Sequence, residues 1–139
     1  MTSAEIRENI RYNENLVYSY QNSVRQLNSK IQQLQRLRTK VKSLQTQFAG
    51  RQSKRKSKLN NISSNRLNIK MVSTYISGMN SLLNGSEYAS AYNGISSAQE
   101  SVNAKIRSIQ REVDSYNYKI SYRRDRISYW RRQLRYAVD

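Results

Sequence analysis

The sequence predicts an all-α protein: an elongated antiparallel helical hairpin or coiled coil, with two long helices and a shorter middle helix. Three observations predict it. The 139-residue chain holds no proline and only four glycines, so almost nothing in it interrupts a helix. Its apolar residues, 37 % of the whole, fall three and four apart over long stretches, the spacing that lines one face of a helix. Its mean hydropathy of -0.90 is too low for a thick core, but a narrow seam between paired helices needs no more. Ser, Asn and Tyr are middling helix formers, so packing has to supply the remaining stability. A single domain, 1–139, is expected.

The first helix is expected over about 3–48. Ile6 and Ile10 lead into a stripe of Val17, Tyr20, Val24, Leu27, Ile31, Leu34, Leu37, Val41, Leu44 and Phe48. The two successive spacings of three at Ile31, Leu34 and Leu37 read as a stammer near Arg36, which would locally overwind a supercoil. Ser3 is the expected N-cap, with Glu5 and Glu8 placed where the helix dipole favours acids. Gly50 stands just past the last stripe residue, as a helix stop would. A basic connector is then expected over 49–57.

A second stripe, Ile62, Ile69, Val72, Ile76, Met79 and Leu83, predicts the shorter helix over about 58–83. Asn84-Gly85 is a turn signal, and Ser86 can cap the next helix. The third stripe is the most regular: Val102, Ile106, Ile109, Val113, Tyr116, Ile120, Arg123, Ile127, Trp130, Leu134 and Ala137 alternate spacings of four and three. It predicts a helix over about 87–136, with Gly94 as a point of loosening. The connection makes the two long helices antiparallel. Arg38 and Arg123 sit in seam lines, where snorkelling to water is the expected arrangement and a register lock the other one.

The formal charge is +16, and between Glu14 and Glu87 there is no acidic residue. Such a field attracts nucleic acid, an anionic membrane or an acidic protein. "GRQSKRKSK", residues 50–58, concentrates Arg51, Lys54, Arg55, Lys56 and Lys58. It reads either as a phosphate-binding patch or as a solvated elbow. The apolar stripe precedes it, the reverse of the basic-zipper order.

Enzymatic activity is not expected. Cysteine and histidine are absent, and the nine acids are scattered; Glu112 and Asp114, two apart, point to different sides of a helix. No glycine loop cradles a phosphate. The expected catalytic, cofactor and metal sets are all empty. No apolar run reaches transmembrane length, and the N-terminus carries no apolar signal core. The eleven tyrosines are many for this length. Tyr20 and Tyr116 fall on seams, whereas Tyr118, Tyr122 and Tyr129 fall off them; as aromatics beside arginines they suit a protein interface, and widening the packed face is the other reading.

The pieces "LQRLRTKVKSLQTQFAG", "LLNGSEYASAYNG" and "KIRSIQREVDSYNYKI" give the chain a pattern. It resembles the small helical proteins associated with LXG-domain toxins of the bacterial type VIIb secretion system, relatives of the WXG-type helical hairpins. Leu83 stands where that pattern has Trp, and no Tyr is followed four residues later by an acid. The resemblance implies a non-enzymatic adaptor or targeting chaperone that binds the N-terminal helical region of the toxin and promotes its export. A second small helical protein would complete the complex. It also implies a cytoplasmic location, with co-export beside the toxin as the exit that needs no signal peptide. The partner-binding residues it suggests are Leu83 and Tyr88 near the turn, and Ile106, Ile109, Val113, Ile120, Ile127 and Trp130 on the long helix; intramolecular core is the other reading of each. The alternative function is a basic coiled-coil protein that binds nucleic acid non-specifically.

Overall fold

The computed structural model describes the backbone of residues 1–64 and 70–137, and the side chains of these except 62–64, 70–73 and 82–84. The protein is all-α: α1 spans Ser3–Ser64, α2 Lys70–Asn84 and α3 Ser86–Leu134, and no described residue lies in a strand. The side chains of Ile62, Val72 and Leu83, and all of Ile69, lie outside the described residues.

α1 begins at a capping box. The Thr2 hydroxyl accepts a hydrogen bond from the Glu5 N–H at 3.3 Å, and the Glu5 carboxylate accepts one from the Thr2 N–H at 2.8 Å. The cap is therefore Thr2, not the expected Ser3, which is the first helical residue and is buried. Reciprocal capping needs an acid three residues beyond the cap. Thr2 has Glu5 there, whereas Ser3 has Ile6. The Thr2 N–H and, next, its hydroxyl hold the Glu5 carboxyl below the ordinary carboxylate range. A lowered folded-state pKa means that the contribution is present above the unfolded value of about 4.3 and is lost as pH falls through the folded one. Thr2→Ala is expected to return Glu5 towards its ordinary pKa and to fray the first turn. The Thr2 N–H survives the substitution, so the return is partial; an NMR pH titration of the Glu5 carboxylate checks this, and an unmoved midpoint would show that the hydroxyl contributes nothing beside the N–H.

The expected connector 49–57 is helix, and α1 runs through it for 62 residues in all. One glycine costs a helix interior only about 1 kcal/mol, and buried Gln52 and Leu59 hold the turns beyond it. A Cβ at Gly50 would meet nothing within 4 Å. Gly50→Ala is thus expected to stabilise the protein by about 0.5–1 kcal/mol, read as a later urea midpoint. A loss would mean that the position needs a conformation closed to alanine. α3 likewise passes through Gly94 without a break. Its N-cap is Gly85, whose carbonyl takes the Ala89 N–H at 3.3 Å; Ser86, the expected cap, is its first helical residue. Glycine adopts the non-helical backbone between α2 and α3 at the least steric cost.

The chain divides into two units, residues 1–35 with 105–139, and residues 36–104. In the first, α1 and α3 run antiparallel. Asn13 pairs with Arg123, Tyr20 with Tyr116, and Ile31 with Ile109 and Val113, so one index rises as the other falls. Ile31, Ile109 and Val113 form the buried centre, packed by Val24, Leu27, Leu34 and Ile106. At the end near the termini, Arg131 bridges Glu14 at 2.9 Å across an exposed surface. In the second unit the same order appears as Arg38 to Asn103 (3.2 Å), Gln45 to Ser96 (2.8 Å), and Phe48 stacked on Tyr88 at 5.0 Å.

All members of the α3 stripe from Val102 to Ala137 are buried or half-buried. The α1 stripe departs from expectation. Leu37 and Leu44 are 46 % and 59 % exposed. In the first unit the seam runs through Leu27, Ile31 and Leu34; in the second, Val41, Gln45, Phe48 and Gln52 are the buried or half-buried positions at the same four-three spacing, with exposed Arg38 one step before them. The stammer read at Leu37 comes from assigning the seam by apolarity alone. Polar residues occupy alternate seam positions here, and two of them, Arg38 and Gln45, bond across to α3.

Candidate protein-interaction surface

The suggested interface on α3 is mostly interior. Ile109, Val113, Ile120 and Ile127 are buried. Ile109 and Val113 pack on Ile31, whereas Ile120 and Ile127 line grooves completed from α1 by Gln21 and Val24, and by Glu14 and Val17. Ile106 is half-buried against the same cluster. In the free protein, α1 already covers these side chains. Trp130 is half-buried, edge-on to Tyr129 at 5.0 Å. Tyr88 sits in an aromatic column between Phe48 and Tyr92, whose ring lies 6.2 Å away.

What faces water is aromatic and cationic. In the first unit Tyr12, Tyr18, Tyr118, Tyr122 and Tyr136 are all at least half exposed. Arg126 lies 4.7 Å over the Tyr129 ring and 5.3 Å over Trp130. Arg123 lies 5.2 Å over Tyr122 and 6.0 Å over Tyr12, and Lys119 lies over Tyr116 and Tyr20. A ring's negative face holds a cation near it, so these arginines are steered by neighbours on their own surface.

Arg123 does not simply reach for water. Its Nη1 donates to Asn13 Oδ1 at 3.3 Å, and Asn13, only 4 % exposed, donates in turn to the Asn9 carbonyl at 2.7 Å. In the second unit Arg38 is exposed to water, as expected, and also donates to Asn103 Oδ1 at 3.2 Å. Each seam arginine therefore has an asparagine on the opposing helix. The asparagines and the seam glutamines escaped sequence reading because polar residues give no periodic signal.

The basic stretch is an exposed part of α1. Arg51, Lys54, Arg55 and Lys58 face water and Lys56 is half-buried, and none of the five forms an ion pair among the described residues. No group of three or more acids, histidines or cysteines that could hold a metal ion occurs there. Among the described residues, no helix is long and apolar enough to cross a membrane.

The fold and surface together define a class: an all-α protein whose paired helices leave leucine, tyrosine and arginine facing outward. No protein-family model matches the chain, and comparison with curated proteins and with solved structures yields no match either.

Proposed function

We propose that the protein is a non-enzymatic helical adaptor that recognises a helical region of another polypeptide. Following the resemblance, that polypeptide would be the N-terminal region of an LXG-type toxin, and the role would be to target it for type VII export. A second small helical protein is the further partner it implies. The observation that supports a protein partner is the set of large side chains left outside the seam, Tyr12, Tyr18, Leu37, Leu44, Tyr118 and Tyr122. Tyrosine and arginine are enriched where proteins bind each other.

Co-expression of the full chain with the N-terminal helical region of an LXG toxin tests the proposal. Gel filtration with light scattering is expected to give one stoichiometric complex without nucleic-acid absorbance. No complex with any protein would overturn the reading.

The exposed cations of residues 51–58 favour a second reading, a basic paired-helix protein that binds nucleic acid non-specifically. It predicts nucleic acid in the peak, released at high salt. Replacing Arg51, Lys54, Arg55, Lys56 and Lys58 with Gln distinguishes the two: loss of function with every protein complex intact would decide for nucleic acid.

A further inference from the structure

α1 carries two stripes, and α3 uses only one. Beside the seam of Val41, Gln45, Phe48 and Gln52 runs a second, Leu37, Val41, Leu44 and Phe48, again spaced four, three and four. Val41 and Phe48 are half-buried and belong to both, while Leu37 and Leu44 point away from α3 and remain exposed. Helical geometry places Arg36, Lys40 and Arg51 along the outer edge of this second stripe. All of these residues lie in one unit.

We infer that Leu37, Val41, Leu44 and Phe48 form a docking stripe for one further helix, an acidic amphipathic one supplied by a partner protein. This rests on the adaptor reading and names its site. The spacing suits a helix, because apolar residues alternating four and three are what a facing helix fills with its own side chains. The charge selects the helix. Charges flanking such a stripe set partner choice, and here every charge from Asn15 to Ser86 is positive. A second copy of this chain would bring another acid-free cationic edge against the first. Two exposed leucines offer a bilayer little apolar area compared with the broad faces of membrane-surface helices.

The test uses the full-length protein and a labelled four-heptad peptide with leucine at the first and fourth positions of each heptad and glutamate beside them. Fluorescence anisotropy is expected to show binding that Leu37→Ser/Leu44→Ser weakens at least roughly tenfold. Lys40→Glu/Arg51→Glu is expected to weaken it similarly, and a lysine-flanked peptide to bind worse than the acidic one. Both leucines are exposed, so the serine variant should keep its helical circular dichroism. Binding unchanged by the serine pair would overturn the site. So would binding to phosphatidylglycerol vesicles, or a concentration-dependent dimer, that the serine pair abolishes. In the toxin co-expression, loss of the complex in the serine variant supports the stripe. A complex that survives it but is lost in Tyr118→Ser/Tyr122→Ser overturns the stripe and leaves the adaptor reading standing. Failure of the wild type to bind any protein overturns the reading itself.

Discussion

Replacing Ile109 with alanine is expected to destabilise the protein by about 2–4 kcal/mol. Ile109 is 3 % exposed and sits at the centre of the first unit's core with Ile31 and Val113. That core is a single seam, with no second layer to collapse into the space a truncated side chain leaves. The cost therefore lies within the usual range for large-to-small core changes, and a marginally stable protein will feel it. Leu37→Ala, equally apolar in sequence, is expected to stay within about 0.5 kcal/mol because its side chain already meets water. Urea denaturation of both variants, followed by far-ultraviolet circular dichroism, checks the pair. Equal losses would mean that the helices are not held where the seam places them.

The second large effect concerns the crossing between Asn13 and Arg123. Asn13→Leu removes an acceptor from a half-buried guanidinium and is expected to cost about 1–3 kcal/mol. Adding Arg123→Leu should recover the loss, because a buried polar pair replaced on both sides by apolar groups is often neutral or stabilising. The cycle should then yield a coupling of about 0.5–3 kcal/mol, whereas independent sites would add to within about 0.5 kcal/mol. What the double variant should lose is register. With leucine on both helices, the first unit loses a buried polar crossing that opposes a slip of α1 against α3 by one heptad, and keeps the exposed Arg131–Glu14 bridge. Distances between spin labels at Tyr18 and Tyr118 would read that slip as a broadened distribution in the double variant and a narrow one in the wild type.

The long α3 seam was legible because each of its positions obeys one rule: apolar or aromatic residues, with Arg123 the lone exception, alternate at four and three. α1 was legible only as far as Leu34. Beyond it, two apolar columns share Val41 and Phe48, and sequence cannot tell which outer column faces α3. Leu37 and Leu44 looked like the seam; Arg38 was legible in a seam line, but the glutamines at 45 and 52, half-buried and buried, were not. A polar side chain can hold a seam position when an opposing Asn or Ser answers it, and that answer depends on inter-helix register. Gly50 misled for an energetic reason, since a penalty of about 1 kcal/mol cannot end a helix secured on both sides. The N-terminal cap was in the sequence as Thr2 and Glu5, and reading the pair rather than the nearest serine would have found it. As for the surface, sequence spacing put Tyr118, Tyr122 and Tyr129 off the seam. The isoleucines of α3 carried two readings, partner contact from the resemblance and intramolecular core, and in the free protein they are buried.

The cationic run of α1 makes salt a participant in folding. Arg36 and Lys40, Arg51 and Arg55, and Lys54 and Lys58 are like charges one turn apart, each pair mildly destabilising, with no acid nearby to offset them. Dissolved counterions weaken this repulsion, so the helix around residues 36–58 should tighten as ionic strength rises and loosen in dilute buffer. A carboxylate-bearing partner would do the same work locally and would be displaced by the same ions. Salt should therefore move the free protein and its complex in opposite directions, firming the first while dissolving the second.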